Sequence, residues 1–427
     1  LAAVLPIPRA LLPDTAAVDG DGRLSIGGCD LLDLAADHGT PLFVYDEAHL
    51  RARCREAVEA FGDGNVVYAT KAFLCTAMAR LAHEEGLLLD VATGGELHVA
   101  LAAGVPADRL VLHGNNKSLD ELRMALTVGV RHVVVDSFDE LDRLDALHAE
   151  GLPVPRVQLR LTPGVHAHTH EYVSTGQDDS KFGFTVSNGT ADAAVRRALA
   201  SPSVDVVGLH CHIGSNVFVA ESFARAAGVM AGISARYGLP ELTLGGGLGV
   251  GYTTGEEAAT IAQWGKVVLG AAAEHGIEAR VLVEPGRAIV AAAAVTLYTV
   301  GTVKEIEGIR TYVAVDGGMS DNPRPVLYGS GYETFLPRAV TAERPRRVRV
   351  VGKHCESGDV LVHEAFVPDD LRVGDVLATP VTGAYGHSMG SNYNKVPRPP
   401  VVFVRDGQAR VVVRRETYDD LVRLDVG

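Results

Sequence analysis

Between residues 66 and 287 one pattern recurs: a short run rich in leucine or β-branched residues, a polar junction, then apolar positions at helical spacing. The runs 66–70, 88–91, 110–113, 132–135, 156–161, 206–210, 242–245 and 281–284 read as eight strands. Capping chemistry marks the helices between them. Thr93 with Glu96, Ser118 with Glu121 and Ser137 with Glu140 each have the spacing of a capping box, and Gly86, Gly104 and Gly129 fall where helices should stop. Eight strand–helix units in this length suit a closed (β/α)8 TIM-type barrel better than an open doubly wound sheet.

After Arg287 the pattern changes to short strand-like runs punctuated by Gly, Pro and Asp, at 291–303, 312–315, 347–351, 360–362, 401–404 and 409–413. The fold class is therefore α/β, a barrel followed by a C-terminal all-β domain. We place the barrel at 38–287 and the β domain at 288–427. Residues 1–37 hold one possible strand, 23–26, and are expected to pack with the β domain.

Composition narrows the functional classes. The chain has 427 residues, 47% hydrophobic and 22% charged, which excludes wholesale disorder. Against 39 basic residues stand 53 acidic ones, a formal −14, so neither nucleic acid nor an anionic membrane is an expected partner. Five cysteines without a CxxC pair point to a reducing compartment, the cytoplasm. The first twenty residues carry no basic leader, and Pro6 and Pro8 interrupt their apolar stretch, so no signal peptide or membrane anchor is expected there.

In a parallel barrel the working residues stand at the C-terminal ends of the strands. Those ends carry Lys71, Asp90, His113, Asp136, Arg160, His210 with His212, Gly245–Gly247 and Glu284. Lys71 directly follows a strand among small and apolar neighbours, a setting that favours Schiff-base chemistry, although a lone lysine is more often a snorkelling surface residue. The run Gly245-Gly246-Gly247 lies where barrels commonly bind phosphate through backbone N–H groups; a tight turn is the plainer alternative. Glu284, in Glu-Pro-Gly-Arg, is suited to a protonated ring nitrogen. Lysine, glycine cradle and glutamate together are what pyridoxal phosphate requires. His210-Cys-His212 also has the spacing of a metal site, and His166, His168 and His170 add imidazoles in a long loop; for His212 a ring stacked on a flat cofactor is preferred.

At ten places the residues match one family closely. The stretches are YATKAF at 68–73, DVATGGEL at 90–97, HGNNKS at 113–118, HTHEYVSTG at 168–176, HIGSN at 212–216, GGGLG at 245–249, EPGR at 284–287, DGGMSDNPRPVLY at 316–328, HCESGD at 354–359 and GAYGHSMGSNYN at 383–394. In this order, over nearly the whole chain, they resemble the fold type III pyridoxal-phosphate decarboxylases, and within them the branch that converts meso-2,6-diaminopimelate to L-lysine and carbon dioxide. Asn216, where many relatives have Gln, and His387 in the GAYxxSM motif depart from the usual pattern.

The resemblance implies a homodimer with active sites shared between subunits and pyridoxal 5'-phosphate as cofactor. It implies that Lys71 carries the cofactor, His212 stacks on its ring and Glu284 pairs with its nitrogen, with Asp90 nearby. Ser215, Gly245, Gly246, Gly247, Gly286, Arg287 and Tyr385 would complete the cofactor site, most of them around the phosphate. Arg287, Arg324, Tyr328, Glu356 and Tyr385 would hold the substrate, and Cys355, from the opposite subunit, is the matching catalytic cysteine. The rival readings are a decarboxylase of another diamino acid or of a carrier-tethered amino acid, a racemase of the same fold, a metal-dependent barrel hydrolase and a noncatalytic carrier.

Overall fold

The structure is a computed structural model that describes residues 6–165, 177–212, 214 and 220–427. His166, His168, His170, Ser215 and Asn216 lie outside the described residues. The chain divides into two compact units, one formed by Leu1–Ala52, Val250–Glu257 and Ile289–Gly427, the other by Arg53–Gly249 and Ala258–Ala288.

The second unit is the barrel. Its strands are Val67–Ala69, Leu88–Val91, Leu110–Leu112, His132–Val135, Arg156–Thr162, Asp205–His210, Glu241–Thr243 and Arg280–Leu282, each parallel to the next in chain order. The last meets the first: Val66 bridges Val283, and the Val67 N–H donates to the Val283 carbonyl at 2.8 Å. Inward-facing Val67, Leu88, Val111, Val134 and Leu282 form one buried cluster. Several ladders stop one or two residues before the apolar run does. Thr70, His113, Gly245 and Glu284 thus lie past the strands, on the rim. A short strand not expected from the sequence, Phe184–Thr185, pairs with the end of Arg156–Thr162.

The helix starts show how one motif takes different partners. Ser118 and Glu121 form a reciprocal capping box. Thr93 caps its helix, but the Glu96 carboxylate accepts from the Ala92 N–H instead. At Ser137 the N3 residue, Glu140, reaches the Asp136 N–H and also a buried cation, Lys117, at 2.8 Å. The Lys117 ammonium further donates to the carbonyls of Gly114 and Val134, both at 2.6 Å, so two hydrogen bonds and one ion pair hold it. This pair ties the loop after the third strand to the helix after the fourth. With both side chains 1% exposed, Lys117→Met should cost about 3–5 kcal/mol in urea unfolding, since it strands a buried carboxylate, and adding Glu140→Leu should return much of that loss.

The first unit is built on β-strands. One sheet runs in the order Val360–Val367, Arg346–Val351, Arg310–Val315, Ala294–Ile306, Leu42–Asp46, Val401–Arg405 and Gln408–Val413. Val376–Pro380, absent from the sequence reading, pairs with the first half of the long strand Ala294–Ile306. Leu42–Asp46 lies inside this sheet, antiparallel to Ala294–Ile306 and parallel to Val401–Arg405, so residues 38–52 group with the β unit. A three-stranded sheet of Ala17–Val18, Leu24–Ile26 and Cys29–Asp30 precedes it. Among the described residues, no helix is long and apolar enough to cross a membrane.

Candidate active site

In the barrel unit Lys71 lies on a single 3-10 turn, Thr70–Ala72, immediately past the first strand, and its side chain is exposed. That turn is fixed from the second strand: the Thr70 N–H donates to Asp90 Oδ1 at 3.2 Å and the Thr70 hydroxyl to the Asp90 carbonyl at 2.7 Å. The Asp90 carboxyl itself is pushed up to about 7 by burial, with His113 and Lys71 opposing and the charge of Glu284 adding.

Glu284 is the electrostatic centre of the rim. Its side chain is 7% exposed, and His113 Nε2 and His210 Nε2 each lie 2.8 Å from one of its oxygens. Burial alone would raise its pKa; the two imidazoles of His113 and His210 more than reverse this and hold the carboxyl well below the usual carboxylate range. The His210–His212 pair therefore does not act as one ligand set. His210 turns to Glu284, and His212 Nδ1 accepts the Gly246 N–H at 3.3 Å. Burial, with Lys71 and Arg160 adding, pushes His212 well below the ordinary imidazole value, so its ring is neutral.

The glycines of 245–247 have a packing reason. Gly245 has φ +66°, and a Cβ there would lie 2.6 Å from His212 Nδ1. At Gly246 it would lie 2.0 Å from the Glu284 carbonyl, because the ends of strands seven and eight approach closely there. Gly286 passes close to the lysine turn, where a Cβ would lie 2.9 Å from that of Ala69. Gly246→Ala should accordingly lose about 1–3 kcal/mol in urea unfolding, while Gly232→Ala, on a helix with open space around it, should be neutral or slightly stabilising. Arg287 is buried directly after this segment.

In the β unit a second group surrounds Arg324. This buried guanidinium lies 4.3 Å over the Tyr252 ring and donates from Nη1 to the Tyr332 hydroxyl at 2.6 Å; its buried Nε finds no acceptor among the described residues. Tyr385, a non-glycine residue at φ +59°, is close enough to act electrostatically on Arg324. Tyr328 is half-buried, its hydroxyl 4.0 Å from the Met389 sulfur. Cys355 and Glu356 are exposed on the loop between strands Arg346–Val351 and Val360–Val367. Side-chain acceptors help to hold that loop. Asp359 accepts from the N–H groups of Met319 at 2.7 Å and His354 at 2.9 Å, and the Cys355 N–H donates to Asn394 Oδ1 at 2.9 Å.

The sequence reading thus located most of these residues but did not pair His113 or His210 with Glu284, and it named neither Tyr252 nor Tyr332 beside Arg324, nor Asn394 beside Cys355. The two histidines had a signal, polar residues at strand ends. Local periodicity gave no sign of the other three contacts, of which Tyr332–Arg324 spans 8 residues and Asn394–Cys355 spans 39.

These two groups can be set beside known proteins. The model of the pyridoxal-dependent decarboxylase pyridoxal-binding domain matches residues 47–291. Diaminopimelate decarboxylase of Mycobacterium tuberculosis is 49% identical, with 97% of each chain covered, and that of Bacillus subtilis is 46% identical, covering 97% of this chain and 98% of the relative. The crystal structure of diaminopimelate decarboxylase from M. jannaschii, in co-complex with L-lysine, superposes with a TM-score of 0.89 at 33% identity, covering 97% of this chain and 98% of that one. Matched over its whole length, the chain belongs to the pyridoxal-dependent decarboxylases and, within them, to the diaminopimelate decarboxylase family.

Proposed function

We propose that the protein decarboxylates meso-2,6-diaminopimelate to L-lysine and carbon dioxide, with pyridoxal 5'-phosphate held by Lys71. The observation that carries this reading is the buried, anionic Glu284 on the rim that also bears Lys71. The donor set fits the cofactor: an exposed amine for its aldehyde, a fixed carboxylate for its ring nitrogen and a neutral imidazole, His212, for its face. Ser215, Gly245–Gly247, Gly286 and Tyr385 would surround the phosphate, and Asp90 would fix the lysine turn. When bound, pyridoxal phosphate supplies the electron sink for the carbanion left as carbon dioxide departs. A racemase of this fold would be expected to carry an arginine where Glu284 stands.

The chain's own residues do the rest. Arg287, Arg324, Tyr328, Tyr385 and Glu356 would bind and orient the two ends of the substrate, and Cys355, or a water it orders, would deliver a proton to the former α-carbon. The names of the relatives and the lysine bound in one of the solved structures support this choice of substrate. None of the five cysteines is in a disulfide, which supports a reducing compartment such as the cytoplasm. The test is to incubate the protein and pyridoxal phosphate with meso-diaminopimelate and to measure carbon dioxide and lysine; formation of neither overturns the reading.

The proposed assembly is a homodimer in which Cys355 serves the partner's barrel. Mixing inactive Lys71→Ala and Cys355→Ala subunits should then restore activity to about a quarter of the wild-type level, because half of the dimers are mixed and each has one intact site. No recovery after demonstrated subunit exchange would place both residues in one chain's site.

A further inference from the structure

We infer that His113 and His210 are positioning residues, a two-imidazole clamp that holds the Glu284 carboxylate as an anion and leaves one of its oxygens for an aromatic N–H⁺. The inference rests on the cofactor reading above and adds to it two residues from different strands that meet only because the barrel closes.

The two contacts are unequal. His210 Nε2 and Glu284 Oε2, 2.8 Å apart, are aligned as a hydrogen bond. His113 Nε2 is as close to Oε1, but its N–H is not aligned with that oxygen. Oε2 is therefore committed, while Oε1 keeps capacity for another donor. The rings pack edge to face, 5.0 Å apart at 68°, so neither can rotate without displacing the other. His210 Nδ1 is buried and has no partner among the described residues. A proton there would lack an acceptor, so His210 is the neutral Nε2–H tautomer and donates without cancelling the charge of Glu284. An imidazolium would instead neutralise the carboxylate and remove the reason for a cationic ring to bind beside it.

The chemistry predicts a preference for ring nitrogen that can be measured without turnover. The probes are pyridoxal 5'-phosphate and its 1-deaza analogue, which keeps the aldehyde and phosphate but has carbon in place of the ring nitrogen. The wild-type protein should bind pyridoxal phosphate more tightly than the analogue. In His210→Phe the ratio of the two affinities should fall about tenfold, because an aligned donor to a buried charge is lost. His210→Gln, which keeps an N–H donor, should restore the ratio to within about threefold, and His113→Phe should lower it less than His210→Phe. A His210→Phe protein in which both affinities fall together, with the ratio unchanged, would show a merely structural role and overturn the clamp. Should that variant not fold, ring ¹⁵N shifts of His210 in the wild-type protein decide: a neutral ring protonated at Nε2 supports the clamp, and an imidazolium at pH 7 overturns it. Equal binding of the two compounds by the wild type defeats the clamp alone, whereas binding of neither defeats the cofactor reading as well.

Discussion

Lys71→Ala should abolish decarboxylation, with a loss of at least about a thousandfold in turnover, because on the proposed reading it removes the amine that forms the covalent link to the cofactor. Lys117, another lysine near the barrel rim, is no substitute: it is buried, hydrogen-bonded to two carbonyls and paired with Glu140. The folded protein should hardly notice the change. Lys71 is exposed, and its turn is fixed by the bonds from Thr70 to Asp90, which alanine leaves intact. Urea unfolding should therefore shift by less than about 0.5 kcal/mol. Borohydride treatment of the loaded wild-type enzyme should fix the cofactor to the peptide containing Lys71. Label on any other lysine, or a Lys71→Ala enzyme with more than a few per cent of wild-type turnover, would sink the assignment.

That lysine could be found in the sequence because a barrel strand announces its own end: an apolar run stops, and the next polar residue is on the rim. The same logic located Asp90, Glu284 and the glycine run. It could not say what Glu284 touches. The partners come from strands three and six, and which strand ends face one another depends on closure and stagger, which leave no trace in local periodicity. The strand Leu42–Asp46 was missed for a related reason. All five of its residues are buried, so they show no alternation, and its partners lie some 250 or more residues downstream. At the glycine run the sequence suggested phosphate binding or a tight turn, whereas the close approach of Glu284 to Gly246 is by itself sufficient reason for glycine there. On the proposed reading, phosphate binding by these N–H groups would add a use to a backbone shape that packing already requires.

On the proposed reading, the choice of substrate turns on Arg324. Diaminopimelate carries a carboxylate that simpler diamino acids lack, and selecting it requires a fixed cation away from the reacting carbon. Arg324 is buried, seated over the Tyr252 ring and tied through Nη1 to the Tyr332 hydroxyl, yet its Nε has no acceptor among the described residues. A buried guanidinium N–H without a partner is costly unless a ligand completes it, and a carboxylate accepts from such a planar fork through two parallel hydrogen bonds. Lysine can replace the charge but not the fork, and it cannot stack on Tyr252 in the same way. With charge-assisted contacts contributing about 1.5–3 kcal/mol, Arg324→Lys should lower kcat/KM for diaminopimelate about tenfold to a hundredfold. Most of that loss should appear in KM, since the contact is made far from the bond that breaks and is present in both ground and transition states. Affinity for pyridoxal phosphate should be unchanged. A variant that loses the cofactor, or that handles diaminopimelate with wild-type kcat and KM, would show that Arg324 is not the anchor of the distal carboxylate, and the selection of a diacid would have to be sought in Arg287 or Tyr328.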